Sequence, residues 1–314
     1  MKKQAIMKNK MVVVLGPTSS GKSDLAVILA KAFGGEVVSA DSRQVYKGMD
    51  IGTGKVTKKE MGGVPHHLLD VVNPRTVFTV ASYKRYAEKA IREILKRGKL
   101  PIICGGTGFY IQAIVDDMEV PRVKPDKALR KKLGHKTPKE LFGMLKKLDP
   151  RRAKSIDPKN PRRLVRAIEI ATHLDHVPHL VTKPASQQSG RTNKYKVLQI
   201  GVKTADKVLK ERIHVRLLAR MRVGMVAEAR RLHNPPVGEG LSWKRMDALG
   251  LEYRYLAKLL TGKMLRGEMM EKLNTAIWQY ARRQKTWWRR DKRIKWFSLS
   301  EVKKIEKEVE QFLL

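Results

Sequence analysis

The chain has 314 residues and one cysteine, with no run of eighteen apolar residues; this allows one large or two ordinary domains and excludes a disulfide scaffold, a Cys-rich zinc site and a membrane-spanning helix. Lys and Arg number 67 against 30 Asp and Glu, a net charge of +37, which favours a partner with a polyphosphate backbone through counterion release. Nucleic acid is the expected partner, and the competing reading is Lys-rich solvated faces in a generally basic proteome.

Met1-Lys2-Lys3 is not followed by an apolar segment, so no secretory signal is expected, and the single Cys104 suits a reducing, cytoplasmic setting. From Met11 to Leu15 an apolar, β-branched run predicts a buried strand. It leads into Gly16-Pro17-Thr18-Ser19-Ser20-Gly21-Lys22-Ser23, which fits the phosphate-cradling pattern G-x-x-x-x-G-K-[ST], and then into a predicted helix from Asp24 to Phe33. Strand, glycine loop and helix form the context in which backbone N–H groups and a helix N-terminus converge on an anion. Lys22 would reach the terminal phosphate and Ser23 would ligate Mg²⁺. A glycine-rich turn with no ligand is the bland alternative.

Glu36 to Ala40 predicts a second strand, ending at Asp41-Ser42-Arg43-Gln44. A carboxylate at the carboxyl end of a parallel strand points into a ligand crevice, which makes Asp41 a candidate general base; an Asx turn is the competing reading. The stretch from Val45 to Lys55, with three glycines and two lysines, resembles a loop over phosphates or RNA on composition alone. Pro65-His-His-Leu-Leu-Asp70 carries adjacent histidines that point oppositely in an extended segment, which argues against a shared metal. Between Thr79 and Arg97 a helix is expected with Tyr83, Tyr86, Ala90, Ile94 and Leu95 on its core face, and Gly98 as its stop. Leu100 to Cys104 predicts a strand that ends in Gly105-Gly106-Thr107-Gly108, where a phosphate-hydrolysing enzyme would place an aspartate.

Around Asp116 the chain turns to Pro, Lys and Arg, continuing through Pro184 to Gly190, so residues 117 to 190 are read as a helical insertion between core segments 1 to 116 and 191 to 314. In it, Arg162, Arg163 and Arg166 share one helix face, suited to phosphates or simply to water. Tyr195 to Val202 returns to strand character, and a long helix from Asp206 is expected to bury Leu209, Ile213, Leu217, Met221 and Met225. The last third mixes Trp278, Tyr280, Arg282, Arg283, Trp287, Trp288, Arg289, Arg290 and Trp296, as in surfaces that stack unpaired bases. Core tryptophans with a charged outer face are the alternative; two adjacent Trp are not expected both to point inward.

The ordered set of Gly16 to Ser23, Asp41 to Gln44, Tyr46 to Lys55, Pro65 to Asp70, Gly105 to Thr107, Arg162 to Arg166 and Ala281-Arg-Arg-Gln-Lys-Thr-Trp287 resembles the bacterial tRNA dimethylallyltransferase family, over residues 11 to 297. The resemblance implies a P-loop NTPase-like parallel α/β sheet with a helical insertion, working with Mg²⁺; oligomeric state is not readable from the sequence, and a monomer is the default for a protein that wraps one tRNA. The implied reaction moves a dimethylallyl group from dimethylallyl diphosphate to N6 of the adenine 3′ of the anticodon. By the same resemblance Thr18, Lys22 and Arg216 act on the diphosphate and Asp41 takes the proton. The positions where the family contacts the tRNA anticodon stem-loop are Asp41, Ser42, Arg43, Gln44, Thr107, Arg130, Arg162, Arg163, Leu164, Val165, Arg166, Asp247, Ala248, Leu249, Gly250, Leu251, Glu252, Arg282, Arg283, Gln284, Lys285, Thr286, Trp287, Trp288 and Arg289. Leu251 and Trp278 depart from the Tyr and Arg usual in the family. Prenylation of a free adenine nucleotide, or a P-loop kinase or ATPase acting on RNA, are the alternatives.

Overall fold

The computed structural model describes residues 9–121, 123–174 and 194–314. Its chain divides into two compact units, Met1–Val115 with Lys194–Leu314, and Asp116–Asn193. The boundaries lie within a few residues of the change in composition, and Pro184 to Gly190 lies outside the described residues.

The first unit opens with β1 (Lys10–Leu15), α1 (Lys22–Phe33), β2 (Gly35–Ser39), the single turn α2 (Lys58–Met61) and the two-residue β3 (His66–His67). It continues through α3 (Val80–Lys96), β4 (Leu100–Gly105) and α4 (Gly108–Val115). The second unit holds α5 (Lys127–Leu133), α6 (Pro138–Leu148), α7 (Pro150–Ala153) and α8 (Pro161–Leu174), with no strand among its described residues. The first unit then resumes with β5 (Lys196–Lys203), α9 (Asp206–Arg222), α10 (Met225–His233), α11 (Trp243–Leu249), α12 (Leu251–Leu260), α13 (Arg266–Trp288), β6 (Ile294–Ser298) and α14 (Val302–Leu313).

The six strands form one sheet in the order β3-β2-β4-β1-β5-β6, and every pairing is parallel. A parallel sheet covered on both faces calls for continuous apolar strands, which is why β1 reads as Met-Val-Val-Val-Leu without alternation. Met11, Val13 and Leu15 pack with α3 and α4, while Val12 and Val14 pack with α1 and α14. From β1 the chain crosses to one side to form β2, and from β4 it crosses to the other to form β5. The carboxyl ends of β1 and β4 therefore flank the switch point, where an open α/β sheet presents its ligand crevice.

At that crevice Gly105 sits so close to β2 that an added Cβ would lie 2.3 Å from the carbonyl oxygen of Ala40. Backbone meets backbone there, so neither side can rotate away. Gly105→Ala should lower stability by about 3 kcal/mol, read as a lower urea midpoint with an unchanged slope.

Two helices differ from the sequence expectation. In α3 the buried stripe is Tyr83, Ala87, Ala90, Ile91 and Ile94; Tyr86 is exposed and packs edge-on against Phe78, because at about 100° per residue it lies on the flank of that stripe, well away from its centre. The helix from Asp206 stops at Arg222, and Gly224 in the left-handed conformation caps α10. Met225 is buried as expected, but from a new helix. Cys104 is a core residue whose thiol burial pushes up to about 11, so it is inert.

Candidate active site

The loop after β1 has the shape of an anion cradle. Ser19 and Gly21 take positive φ, 60° and 86°, and Gly21 caps α1 with no side chain bonded to the helix N-terminus, so its first amides stay open to a ligand. Lys22 curls back over the loop and donates from Nζ to the carbonyl of Pro17 at 3.2 Å. Burial lowers the pKa of its ammonium and the nearby charge of Arg216 lowers it further, while Cys104 and Asp41 act in the opposite sense. Two cations near enough for one to act electrostatically on the other, with one carboxylate nearby, make a site that gains from binding an anion.

That carboxylate, Asp41, lies directly after β2. Its Oδ1 accepts from the amides of Arg43 at 2.7 Å and Gln44 at 3.2 Å, an Asx turn that fixes χ1 and leaves Oδ2 without a hydrogen bond among the described residues. The turn and the proposed base are thus one residue using two oxygens. Thr107, after the glycines of β4, donates its amide to the carbonyl of Ala40 at 3.1 Å and accepts at Oγ1 from the Ser42 amide at 3.1 Å. Tyr280 of α13 hydrogen-bonds the Thr107 side chain, and burial, followed by the Asp41 charge, pushes its hydroxyl up to about 12. It therefore stays protonated near Asp41.

Gln284 ties these loops together. Its Oε1 accepts from the Thr18 amide at 2.9 Å and its Nε2 donates to the Gly106 carbonyl at 2.8 Å. With both ends used on backbone and the residue 6% exposed, it does not offer its side chain to tRNA as expected. The same correction applies to Trp288 and Leu249 in this unit and to Leu164 in the second, all buried in helix stripes. Of the adjacent tryptophans one does point inward. Trp287 lies over Gly108 and meets Phe109 at a ring distance of 6.5 Å, and Trp278 takes the Lys210 ammonium at 5.0 Å from its ring centroid. Both rings are half-buried, each packed on one side against protein. Toward its carboxyl end α13 exposes Arg282, Arg283 and Thr286, with exposed Arg289 at its C-cap, a cationic face; Lys285 is paired with Asp206.

The glycine loop from Gly48 to Lys55 is not a phosphate loop. The amides of Asp50, Ile51 and Gly52 are all donated to the buried carboxylate of Glu228, at 2.7 to 2.8 Å, and Lys55 Nζ is held by Asp50 at 2.6 Å and Asp70 at 2.5 Å. Donors already bonded within the protein cannot also serve a ligand. Arg216 and Arg220, from α9, instead donate to the loop's carbonyls at Gly54 (2.9 Å) and Gly52 (2.8 Å). Arg220 also pairs with Glu252 at 3.0 Å, and Asp247 takes Arg254 at 3.1 Å, so both acids are engaged; Ala248 is exposed, and Gly250 and Leu251 form a turn with positive φ. His66 and His67 bind different partners, the Val64 carbonyl and Glu36, and no metal-binding group of His, Cys, Asp and Glu occurs among the described residues.

In the second unit, Glu169 of α8 is fully buried and binds both Arg130 and Arg166. Arg162 and Arg163 are exposed and Val165 is half-buried, so two of the three arginines on this helix remain open for phosphates.

Glu228 and Gln284 escaped the sequence reading as buried anchors. Both lie on apolar helix stripes, Glu228 with Met225 and Ala229, and Gln284 with Ala281 and Trp288; a polar residue on such a stripe is the signal that finds them.

A parallel sheet with a glycine loop and helix N-terminus after its central strand defines the class, an α/β protein of the P-loop NTPase-like fold. A family model described as IPP transferase matches residues 44–291, and the chain belongs to that family of transferases. The match begins beyond the phosphate loop and so does not depend on it. The chain is 42% identical to tRNA dimethylallyltransferase 2 of Treponema denticola, over 90% of this chain and 92% of that protein. It is 39% identical to the tRNA dimethylallyltransferase of Thermoanaerobacter sp., over 96% of this chain and 95% of the other. Among solved structures it is similar to the tRNA isopentenylpyrophosphate transferase of Bacillus halodurans, 33% identical with a TM-score of 0.70, covering 98% and 97% of the two chains. It is also similar to a eukaryotic dimethylallyltransferase described acting on tRNA, 27% identical with a TM-score of 0.73, covering 89% and 70%. No described helix is long and apolar enough to cross a membrane.

Proposed function

We propose that this protein transfers the dimethylallyl group of dimethylallyl diphosphate to N6 of the adenine 3′-adjacent to the anticodon of tRNA. The observation that carries the proposal is the placement of Asp41, with one carboxylate oxygen free of hydrogen bonds among the described residues, near Lys22 of the loop after β1 and Arg216 of α9. In the reaction N6 attacks the allylic C1, the C1–O bond to diphosphate breaks with its electron pair leaving on oxygen, and Asp41 accepts the N6 proton. The loop amides, Lys22 and Arg216 stabilise the charge that grows on the departing diphosphate, and the Gln284 bridge to the Thr18 amide keeps Thr18 in place beside it. The adenine leaves its stack to reach C1, and the cations exposed on α13, with Arg162 and Arg163, supply phosphate contacts in a monomer with a net charge of +37.

Mg²⁺ fits the same loop. Ser23, an exposed residue in the first turn of α1, carries a hydroxyl of the hard-oxygen kind that Mg²⁺ combines with phosphate oxygens and water. When bound, the ion would supply charge neutralisation on the diphosphate. The adenine-nucleotide and ATPase alternatives have less support, since β4 ends in glycines without an acid and the cationic α13 face far exceeds what a mononucleotide needs.

The test is incubation of the full chain with Mg²⁺, radiolabelled dimethylallyl diphosphate and unmodified tRNA, with AMP and ATP in parallel, followed by nucleoside analysis. Label in tRNA adenosine is expected. Label only in AMP, or ATP hydrolysis with no label transferred, would overturn the proposal.

A further inference from the structure

Glu228 is 1% exposed and forms no salt bridge among the described residues. Its carboxylate is instead satisfied by four donors: the amides of Asp50 (2.8 Å) and Ile51 (2.7 Å) on Oε2, and the Gly52 amide (2.8 Å) and Tyr253 hydroxyl (2.7 Å) on Oε1. Burial, followed by the Glu228 charge, raises the pKa of that hydroxyl, so it stays protonated and donates. A fan of successive amides around one anion is the recognition a protein uses for phosphate, here turned inward on its own side chain. Burying a carboxylate is costly unless all its lone pairs are used, so an arrangement this complete fixes the loop's geometry firmly.

The other edge of the loop faces the phosphate site. The carbonyl of Gly54 accepts from Arg216 Nη2 at 2.9 Å and from Gln44 Nε2 at 3.1 Å. Among the described residues this is the only hydrogen bond of the Arg216 side chain. Gly54 takes the left-handed conformation, φ 58°, and a Cβ there would stand 2.7 Å from Arg216 Nη2, so the loop and the guanidinium are in direct contact. Arg216 in turn acts electrostatically on Lys22 and feels Asp41.

We infer that Glu228 is a positioning residue: it clamps the loop of residues 49–55 so that the Gly54 carbonyl aims the Arg216 guanidinium at the diphosphate site. The inference rests on the proposed reading of that site as one for diphosphate. An arginine with a single tether takes its orientation from that tether, and the tether's own position is set 176 residues away in sequence from Gly52, at Glu228.

The experiment is calorimetric titration of inorganic diphosphate with Mg²⁺ into the full chain and into Glu228→Gln, Arg216→Ala and their double variant, with tRNA affinity and thermal unfolding measured on each. Gln has the shape of Glu but turns an NH₂ group toward the loop's amides, so one donor faces another and the loop shifts. The expected result is a diphosphate affinity weakened about tenfold by either single change, and a double variant no weaker than Arg216→Ala alone, the mark of two residues acting through one interaction. Gly54→Ala, which leaves the Glu228 contacts intact and displaces the guanidinium directly, should reproduce the loss even if Glu228→Gln folds poorly. An unchanged diphosphate affinity in Glu228→Gln or Gly54→Ala, where Arg216→Ala weakens it, would overturn the inference, as would multiplicative effects in the double variant. Absence of diphosphate binding by the unaltered chain would instead overturn the reading of the site, and the inference with it.

Discussion

Asp41→Asn should reduce the single-turnover rate of prenyl transfer to tRNA about 10³-fold, within the range a general base contributes. The amide is chosen because its oxygen still accepts from Arg43 and Gln44, the two amides that hold the turn after β2. What it lacks is a basic oxygen where Asp41 has its free one. Binding of tRNA and of diphosphate should each stay within a few-fold of the unaltered protein, measured by filter binding and calorimetry. A transfer rate within tenfold of the original would mean the proton leaves by another route. Asp41→Ala is the less clean change, since it removes the turn together with the base.

The second large effect is expected on stability, in the unit formed by Asp116–Asn193. Glu169 is fully buried and receives two bonds of 2.9 Å from Arg130, one from Arg166 and one of 2.6 Å from the Asp126 amide that starts α5. Burial works to raise its pKa, but the guanidiniums of Arg130 and Arg166 and that amide outweigh it and hold the carboxyl at about 2, against an ordinary 4.5. Glu169→Ala removes the buried acceptor that ties α8 to the Asp126 amide and to two partly exposed guanidiniums, which water can then solvate, so it should destabilise this unit by about 2–3 kcal/mol. Faster amide exchange across α5, α6 and α8, with β1 and β4 unchanged, would show it.

The pH dependence has a definite sign. The folded pKa lies below the unfolded one, so the stabilisation is complete above pH 4.5 and is lost as pH falls from there toward 2. In Glu169→Gln the unit should start weaker and show no loss attributable to this position across that window. If the two proteins lost stability in parallel between pH 4.5 and 2, another group would be responsible.

Where the relevant physics is local, the sequence was sufficient. The phosphate loop, its strand and its helix are adjacent in the chain, and Val12, Val13 and Val14 carry the signature of a strand buried on both faces. Asp41 was legible for the same reason, both as a turn and as an acid at a strand end. Failures arose where partners are remote. Nothing near Gly48 to Lys55 reveals that Glu228 uses up its amides, so glycine content suggested a phosphate loop. Arg166 looked equivalent to Arg162 and Arg163 because the carboxylate that captures it also depends on Arg130, from another helix. Composition alone does not tell which side chains of the Trp- and Arg-rich segment face outward. Its residue types suit stacking on bases, but the helical stripe of Met269, Leu273, Ile277, Ala281, Gln284 and Trp288 decides which of them face inward, and periodicity outranks composition.

The order of strands in the sheet also bears on how the protein is made. β1 is flanked by β4 and by β5, so Met11 finds its neighbour only at Val197. At roughly 5–20 residues per second of synthesis, one side of the most apolar strand waits on the order of ten seconds to half a minute for its partner. The intervening unit, with its own core of Leu133, Leu141, Leu145, Leu164 and Ile168, can collapse meanwhile. The nascent chain thus carries an open, strongly β-forming edge for much of its time on the ribosome, and the surrounding positive charge keeps such chains apart while they wait.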